Sequence, residues 1–342
     1  MYLLWRFEMK SASKSHALLN NTSANEVFIQ DLVNRAEAYA HLARAKATFR
    51  AYRQDWQHFT GWCEKQGMAS LPTTATILAL YLTDQACHLS VTTLQRRLSG
   101  ITAVHRQTGH ILDVHNPQLV NVLDGIRRAH GRPALSKRAL TSDELRQAVE
   151  NLPNSVQGIR DRALLLLGFA GALRRSELCN LDVAFGGTGK GWLKFTPEGI
   201  AICIRYSKEN QEGVHIEEVA VPFGRCRITC PVEAIRVWIE LSGISKGALF
   251  RVVLKSGRIT EQRLSGDAVA QRVKAAAKRV GIDPTLVAGH SLRAGFVTAA
   301  SLAGRSDHDI MRHTRHKTSE MVRRYIRPVD LFRCSPAKSI HI

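Results

Sequence analysis

The sequence is poor in several things, and each shortage excludes a class of protein. Seven cysteines in 342 residues (Cys63, Cys87, Cys179, Cys203, Cys226, Cys230 and Cys334) are too few for a disulfide scaffold. Cys226 and Cys230 have no second pair at zinc spacing, so all seven are expected to be reduced thiols, mostly small buried hydrophobes. No apolar run approaches the ~20 residues of a membrane span. Tyr2-Leu3-Leu4-Trp5 is too short for the apolar region of a secretion signal and is followed by charge, so a cytoplasmic location is expected. There is no carboxylate cluster, no glycine-rich phosphate loop and no zinc-ligand spacing. No metal or nucleotide cofactor is implied. Acidic residues are also scarce: 29 against 48 lysines and arginines, a net charge of +19. A hydrophobic content of 44% excludes a disordered basic tail.

The charge points to an anionic partner, and its distribution separates two kinds. A membrane-binding helix sets Lys and Arg opposite a wide Trp/Phe/Leu face, and no segment has that form. Basic residues recur instead along the whole chain: Arg96-Arg97, Arg127-Arg128, Arg132, Lys137-Arg138, Arg272, Lys274, Lys278-Arg279, Arg312, Arg315, Lys317 and Arg323-Arg324. That spread suits a protein that follows a long polyanion and neutralises many phosphates at once.

Residues 1–24 carry Ser, Asn and Lys without periodicity and read as a flexible arm. From 25 to 131 the pattern is helical, with four or five helices and no strand signal. Phe28, Leu32, Ala36, Tyr39 and Ala43 recur at helical spacing, as do Ile77, Leu78, Tyr81 and Leu82 after Pro72-Thr73. Leu94, Leu98, Ile101 and Val104 form a further stripe, with Gln95, Arg96 and Arg106 on the other face. The segment 132–139 is basic, contains proline and breaks periodicity, as an interdomain linker does. Thr141 and Glu144 have capping-box spacing and open a second region, 140–328. Within it Ala163–Leu173 reads as a buried helix. Between Trp192 and Phe223 the period changes to two, predicting a small antiparallel sheet with Lys208–Gly213 as a turn. Helices are expected from Pro231 to Leu241, from Ser265 to Gly281, and around His290–Ala303, Ser306–His313 and Thr318–Ile326. Residues 329–342 form a tail.

Five short features of the second region stand out: Leu173-Arg174-Arg175-Ser176-Glu177-Leu178; Tyr206-Ser207-Lys208; His290-Ser291-Leu292-Arg293; Arg315-His316-Lys317; and Met321-Val322-Arg323-Arg324-Tyr325-Ile326-Arg327. Singly, each has a plain explanation. Arg174 could pair with Glu177, Lys208 could be a solvated turn lysine, His290 and Arg293 a polar helix face, and Tyr325 a half-buried amphipathic residue. In this order, together, they resemble the tyrosine recombinases, or phage integrase family. The likeness spans roughly residues 25–330. It departs where many members carry glycine just before the penultimate His or Trp; here that residue is Arg315.

The resemblance implies a mainly α protein with a small antiparallel β-sheet: an all-helical N-terminal core DNA-binding domain and an α+β catalytic domain, closing as a C-shaped clamp on DNA. It implies a site-specific recombinase whose Tyr325 attacks a DNA phosphate, giving a 3′-phosphotyrosine and a free 5′-hydroxyl without metal or ATP. Arg174, Arg293 and His316 would hold the phosphate, His290 would handle the phenol's proton, and Lys208 would protonate the leaving oxygen, with Lys190 and Lys194 as competing lysines. Glu177 would orient these groups. Chemistry agrees, because two guanidiniums can fork a phosphodiester's non-bridging oxygens and replace a metal ion. Arg175 competes with Arg174 for the first position; the Arg-x-x-Glu spacing to Glu177 favours Arg174. A related resolvase or topoisomerase, and a DNA-binding protein that does not cut, are the alternatives. Thr92, Thr93, Gln95 and Arg96, on a stretch like the family's major-groove helix, would read bases. Arg132, Lys137 and Arg138 would lie along the backbone and Lys255 would reach the minor groove. The expected partners are a double-stranded DNA site and three further copies of the chain, a homotetramer on two paired sites, with no membrane or nucleotide. The tail 329–342, with Val329, Leu331 and Phe332, would contact a neighbouring protomer. The expected location is cytoplasmic, at the nucleoid.

Overall fold

The computed structural model describes residues 22–42, 45–132 and 137–330, with side chains for 26–40, 45, 47–132 and 137–325. The expected arm 1–24 therefore lies almost wholly outside the described residues, as do Ala43 and the tail beyond Asp330. The chain divides into two compact units.

The first unit holds α1 (Thr22–Leu42), α2 (Lys46–Lys65), α3 (Ala75–Gln85), α4 (Val91–Gln107) and α5 (Pro117–His130). Side-chain oxygens start three of them. Thr74, Ser90 and Asn116 accept from backbone N–H groups in the first turns of α3, α4 and α5, and Pro117 sits where no donor is needed. α2 packs on α4 and α3 on α5, enclosing Phe59, Tyr81, Leu82, Leu94, Ile101 and Leu119. The α1 periodicity predicts its helix but not its surroundings: Val27, Phe28, Ile29, Leu32 and Tyr39 are all exposed.

The second unit opens with α6 (Ser142–Glu150), whose capping box is formed by Thr141 and Glu144. α7 (Val156–Ala170) and the five-residue α8 (Arg175–Cys179) follow. The expected apolar helix to Leu173 ends early. Gly171 caps α7, Ala172 turns left-handed at φ 44°, and Leu173 N–H returns to the Gly168 carbonyl at 3.1 Å. Apolar composition continues through that reversal because it is as buried as the helix. A four-stranded sheet follows in the order β1 (Leu181–Asp182), β2 (Gly191–Thr196), β3 (Gly199–Ile204), β4 (Glu217–Pro222). β2, β3 and β4 are antiparallel, whereas the two-residue β1 joins β2 in parallel.

α9 (Pro231–Ser242) packs on α7 and ends at left-handed Gly243. A second hairpin, β5 (Arg251–Val253) with β6 (Ile259–Arg263), has no counterpart in the sequence expectations; its strands are too short to show a period. Last come α10 (Gly266–Arg279), α11 (Ser291–Leu302), α12 (Asp307–Thr314) and α13 (Ser319–Asp330). α13 runs past the expected helix end at Ile326, to Asp330. α11 can approach the segment before α6 only because Gly295 lacks a side chain: a Cβ there would sit 1.9 Å from the Leu140 carbonyl oxygen.

Candidate active site

Arg174 stands immediately before α8, in extended backbone. Its backbone N–H donates to Glu177 Oε2 at 2.9 Å and its Nη1 to Glu177 Oε1 at 2.8 Å. The i,i+3 spacing within one helical turn produces this reciprocal hold. Nη2, on the other edge of the guanidinium, lies 2.7 Å from Glu209 Oε2 in the loop between β3 and β4. Arg175 turns elsewhere, to Asp267 Oδ1 at 3.0 Å.

Arg293, on the first turn of α11, is fully buried. Its Nη1 donates to the Ala172 carbonyl at 2.7 Å and its Nη2 to the Thr314 carbonyl, while Nε has no partner among the described residues. One guanidinium thus joins two chain reversals, the left-handed turn at Ala172 and the turn after α12, where Arg315 is left-handed at φ 58°. Burial, with Arg174 nearby, lowers its pKa to about 10, so it stays charged at neutral pH.

That second reversal presents His316. The Thr314 hydroxyl donates to the Ile310 carbonyl at 2.6 Å and contacts His316 Nδ1 at 2.7 Å. With its proton committed, the hydroxyl accepts from Nδ1–H, which leaves Nε2 bare in the neutral ring. Burial, then Arg293 and Arg174, push the His316 pKa down to about 3. The ring lies against the Tyr325 ring, centroids 5.9 Å apart at 29°.

Tyr325, half-buried on α13, directs its hydroxyl at His290 Nε2, 2.5 Å away. His290 precedes α11 and keeps a solvent-exposed edge. Burial, then the charges of Arg293 and Arg174, nevertheless lower its pKa to about 4. Burial raises the Tyr325 pKa, against the pull of the same two arginines. At neutral pH the phenol keeps its proton and donates it to a neutral imidazole. Lys208 is exposed on the β3–β4 loop, and its charge bears on His290. Of its competitors, Lys194 lies on β2 and acts on Cys203, and Lys190 is exposed beside β2.

Glu177 is almost fully buried, and Arg315 Nη2 reaches its Oε2 at 2.7 Å. Burial alone would raise this carboxyl, yet Arg315 and Arg174 hold it below its usual range. The structure thus gathers Arg174, Glu177, His290, Arg293, His316 and Tyr325 around one point. It adds Glu209, Thr314 and Arg315, which sequence reasoning did not place there. Arg315 did carry a signal, as the residue standing where a glycine is expected.

The expected DNA-contacting residues belong to other elements. Thr92, Thr93, Gln95 and Arg96 occupy the first turns of α4 in the first unit, Thr92 exposed and Arg96 ion-paired with Asp55. Gln95, with its amide oriented to satisfy both groups, accepts from Arg127 Nη2 at 3.0 Å. Arg132 is exposed beyond α5. Lys137 Nζ donates to the Thr285 carbonyl at 2.7 Å, and Arg138 Nη2 to Glu144 Oε1 at 2.5 Å. Lys255 is exposed at the β5–β6 turn. Among the described residues no helix is long and apolar enough to cross a membrane.

Comparison with known proteins follows this geometry. The profile of the phage integrase family matches residues 138–330. An integrase/recombinase xerD homolog of Selenomonas ruminantium is 32% identical over 96% of this chain and 94% of its own length. The tyrosine recombinase XerC of Xanthomonas campestris pv. campestris is 30% identical over 46% of this chain and 47% of its own. In fold, the chain is similar to the XerH site-specific recombinase in a post-cleavage complex with its palindromic difH substrate. That likeness has TM-score 0.64 at 15% identity and covers 99% of this chain and 94% of the other. It is also similar to a lambda integrase dimer bound to a core site, with TM-score 0.55 at 17% identity over 86% and 92%.

Proposed function

The chain belongs to the phage integrase family, and we propose that it cuts and rejoins DNA as a tyrosine-type site-specific recombinase. Tyr325 Oη attacks a backbone phosphorus. The new Oη–P bond replaces the bond to the 5′-oxygen, leaving a 3′-phosphotyrosine and a free 5′-hydroxyl. The phenol's proton passes to His290 Nε2, which is neutral and already in line with it. Lys208 supplies a proton to the departing 5′-oxygen. Reversal of the same steps, with a 5′-hydroxyl from another strand, reseals the backbone. The phosphoester bond energy is kept, so no nucleotide is consumed.

Attack adds negative charge to the phosphate's non-bridging oxygens, and fixed cations lower the cost of that charge. Arg174 Nη2 now faces Glu209; an arriving phosphate displaces that carboxylate and takes the same edge of the fork. Arg293 contributes charge from the buried floor of the site. His316 becomes a donor without net proton uptake, through its other neutral tautomer: Nε2–H faces the anion while Nδ1 accepts from the Thr314 hydroxyl.

We extend the reading to the DNA. Thr92, Thr93 and Gln95 on α4 would meet base edges, while Lys255 and Arg132 would meet backbone. Arg96, Lys137 and Arg138 would exchange their present partners for phosphates. Exchange between two duplexes needs four cuts, hence four protomers on paired sites. Such a substrate places the work at the nucleoid.

The observation that carries the reading is the 2.5 Å approach of Tyr325 Oη to a base that burial and two arginines keep neutral. A nicked suicide duplex carrying a candidate site tests it. Wild-type protein, with chelator present, should form a covalent adduct, and Tyr325→Phe should bind the duplex equally but form none. An adduct of unchanged yield in the variant would refute the assignment.

A further inference from the structure

Arg315 occupies its place against three costs. Its backbone is left-handed, a region that an L side chain adopts with strain and glycine adopts freely. Its side chain is only 9% exposed. Two of its donors, Nε and Nη1, are buried without a hydrogen-bond partner among the described residues. Strain and unpaired buried donors persist only where the surroundings impose them, and such positions gather at functional sites. Among the described residues, the one directed interaction of the side chain set against these costs is Nη2 to Glu177 Oε2, 2.7 Å.

That carboxylate is the junction of the site. Oε1 takes Arg174 Nη1, and Oε2 is shared between the Arg174 backbone N–H and Arg315. The ion pair therefore links two chain reversals. One, before α8, presents Arg174; the other, after α12, presents His316. A carboxylate held by one arginine on a single helical turn can rotate with that turn. Held from a second element, it cannot.

We propose that Arg315 is a positioning residue for strand cleavage: by gripping Glu177 from the His316 turn, it fixes Arg174 in register with His316 across the phosphate. This rests on the recombinase reading above. Arg315 does not touch the reacting atoms; it acts through Glu177. A glycine there would satisfy the backbone better and remove two unpaired donors, so the arginine stands there against local stability.

The test is a double-mutant cycle in the full-length protein, read as single-turnover adduct formation on the suicide duplex, with duplex affinity and thermal melting measured alongside. Arg315→Gly should melt at or above the wild-type temperature and bind the duplex within about twofold, yet form adduct at least tenfold more slowly. Glu177→Gln should slow it comparably, and the double variant should be little slower than Glu177→Gln alone. Arg315→Lys, which keeps the charge and the strained backbone but not the fork, should recover part of the rate. If Arg315→Gly melts lower, Arg315→Lys carries the same cycle. The proposal is overturned if either folded variant cleaves at the wild-type rate, or if the losses at 315 and 177 multiply. A wild type that forms no adduct overturns the recombinase reading, and the proposal with it. A cleaving wild type matched by Arg315→Gly overturns the proposal alone.

Discussion

His290 and Tyr325 show how neighbouring groups are driven apart in acidity by one environment. Both are partly withdrawn from water, which disfavours the cation on His290 and the anion on Tyr325. Arg293 and Arg174 then work on both in one direction, further lowering the imidazole and partly offsetting the rise of the phenol. The result is a base that is free and an acid that is loaded across the physiological range, poised to move a proton only when a phosphate arrives. The pH dependence follows. An unfolded histidine titrates near 6.5, whereas His290 in the folded chain titrates near 4. The folded state therefore binds fewer protons between these values, and its stability falls as pH drops through that window, further still for His316 at about 3. Activity is expected to follow the folded value. The profile of kcat/KM, which reports the free enzyme, should stay flat from pH 7.5 to about 5 and fall towards 4. An acid limb centred between 6 and 7 would show that His290 is not the base held as described.

At the scale of elements, the nucleophile depends on a small separate core. Val297 of α11, Ile310 of α12 and Val322 of α13 bury one another, with Met311 and Tyr325 packed beside them. Three helices are thereby fixed as a group, and with them Arg293, His316 and Tyr325. Ile310→Ala should cost about 2–4 kcal/mol of stability through lost burial and the cavity left behind. Because α13 carries Tyr325, adduct formation should fall at least tenfold while duplex affinity, which is spread over basic residues along the whole chain, changes less than threefold. Parallel loss of affinity and cleavage, followed by titration against salt and by gel, would show that the group is not a separable unit.

How legible such elements are depends on whether a local pattern encodes them. Helix period marked α1, α3 and α4, the Thr141–Glu144 spacing marked the start of α6, and alternation marked β3 and β4, because each is a property of adjacent residues. The residues of the site were legible for a different reason: their side-chain chemistry is rare in that order. Reversals were not. Ala172 and Arg315 adopt left-handed backbone without being glycine, since tertiary packing sets it and propensity does not. The β5–β6 hairpin is too short to show a period, and the α1 stripe disclosed a helix but not the exposure of Phe28 and Tyr39. Glu209 and Thr314 act through neighbours that only folding supplies.

Over the whole molecule, the excess of 19 positive charges and the buried charges of the site do different work. Many arginines are already committed: Arg96 to Asp55, Arg138 to Glu144, Arg174 and Arg315 to Glu177, Arg263 to Asp182. Even if all 29 acids were paired one-to-one, 48 − 29 leaves 19 cations for an external partner. Those that are exposed release condensed counterions when they meet phosphate, so their contribution decays with salt; a protein making ~6–10 such contacts shows a slope of about −5 to −9 in log K against log salt. Arg293, fully buried, and Glu177, nearly so, stand behind protein, where mobile ions screen little. Affinity and chemistry should therefore separate. Raising salt from 50 to 200 mM should weaken duplex binding by orders of magnitude, yet leave the single-turnover rate at saturating duplex within about twofold. Were the saturated rate to decay as steeply as the affinity, the cations that stabilise the transition state would have to be solvent-facing ones, and the buried Arg174–Glu177–Arg315 arrangement would have no part in the chemistry.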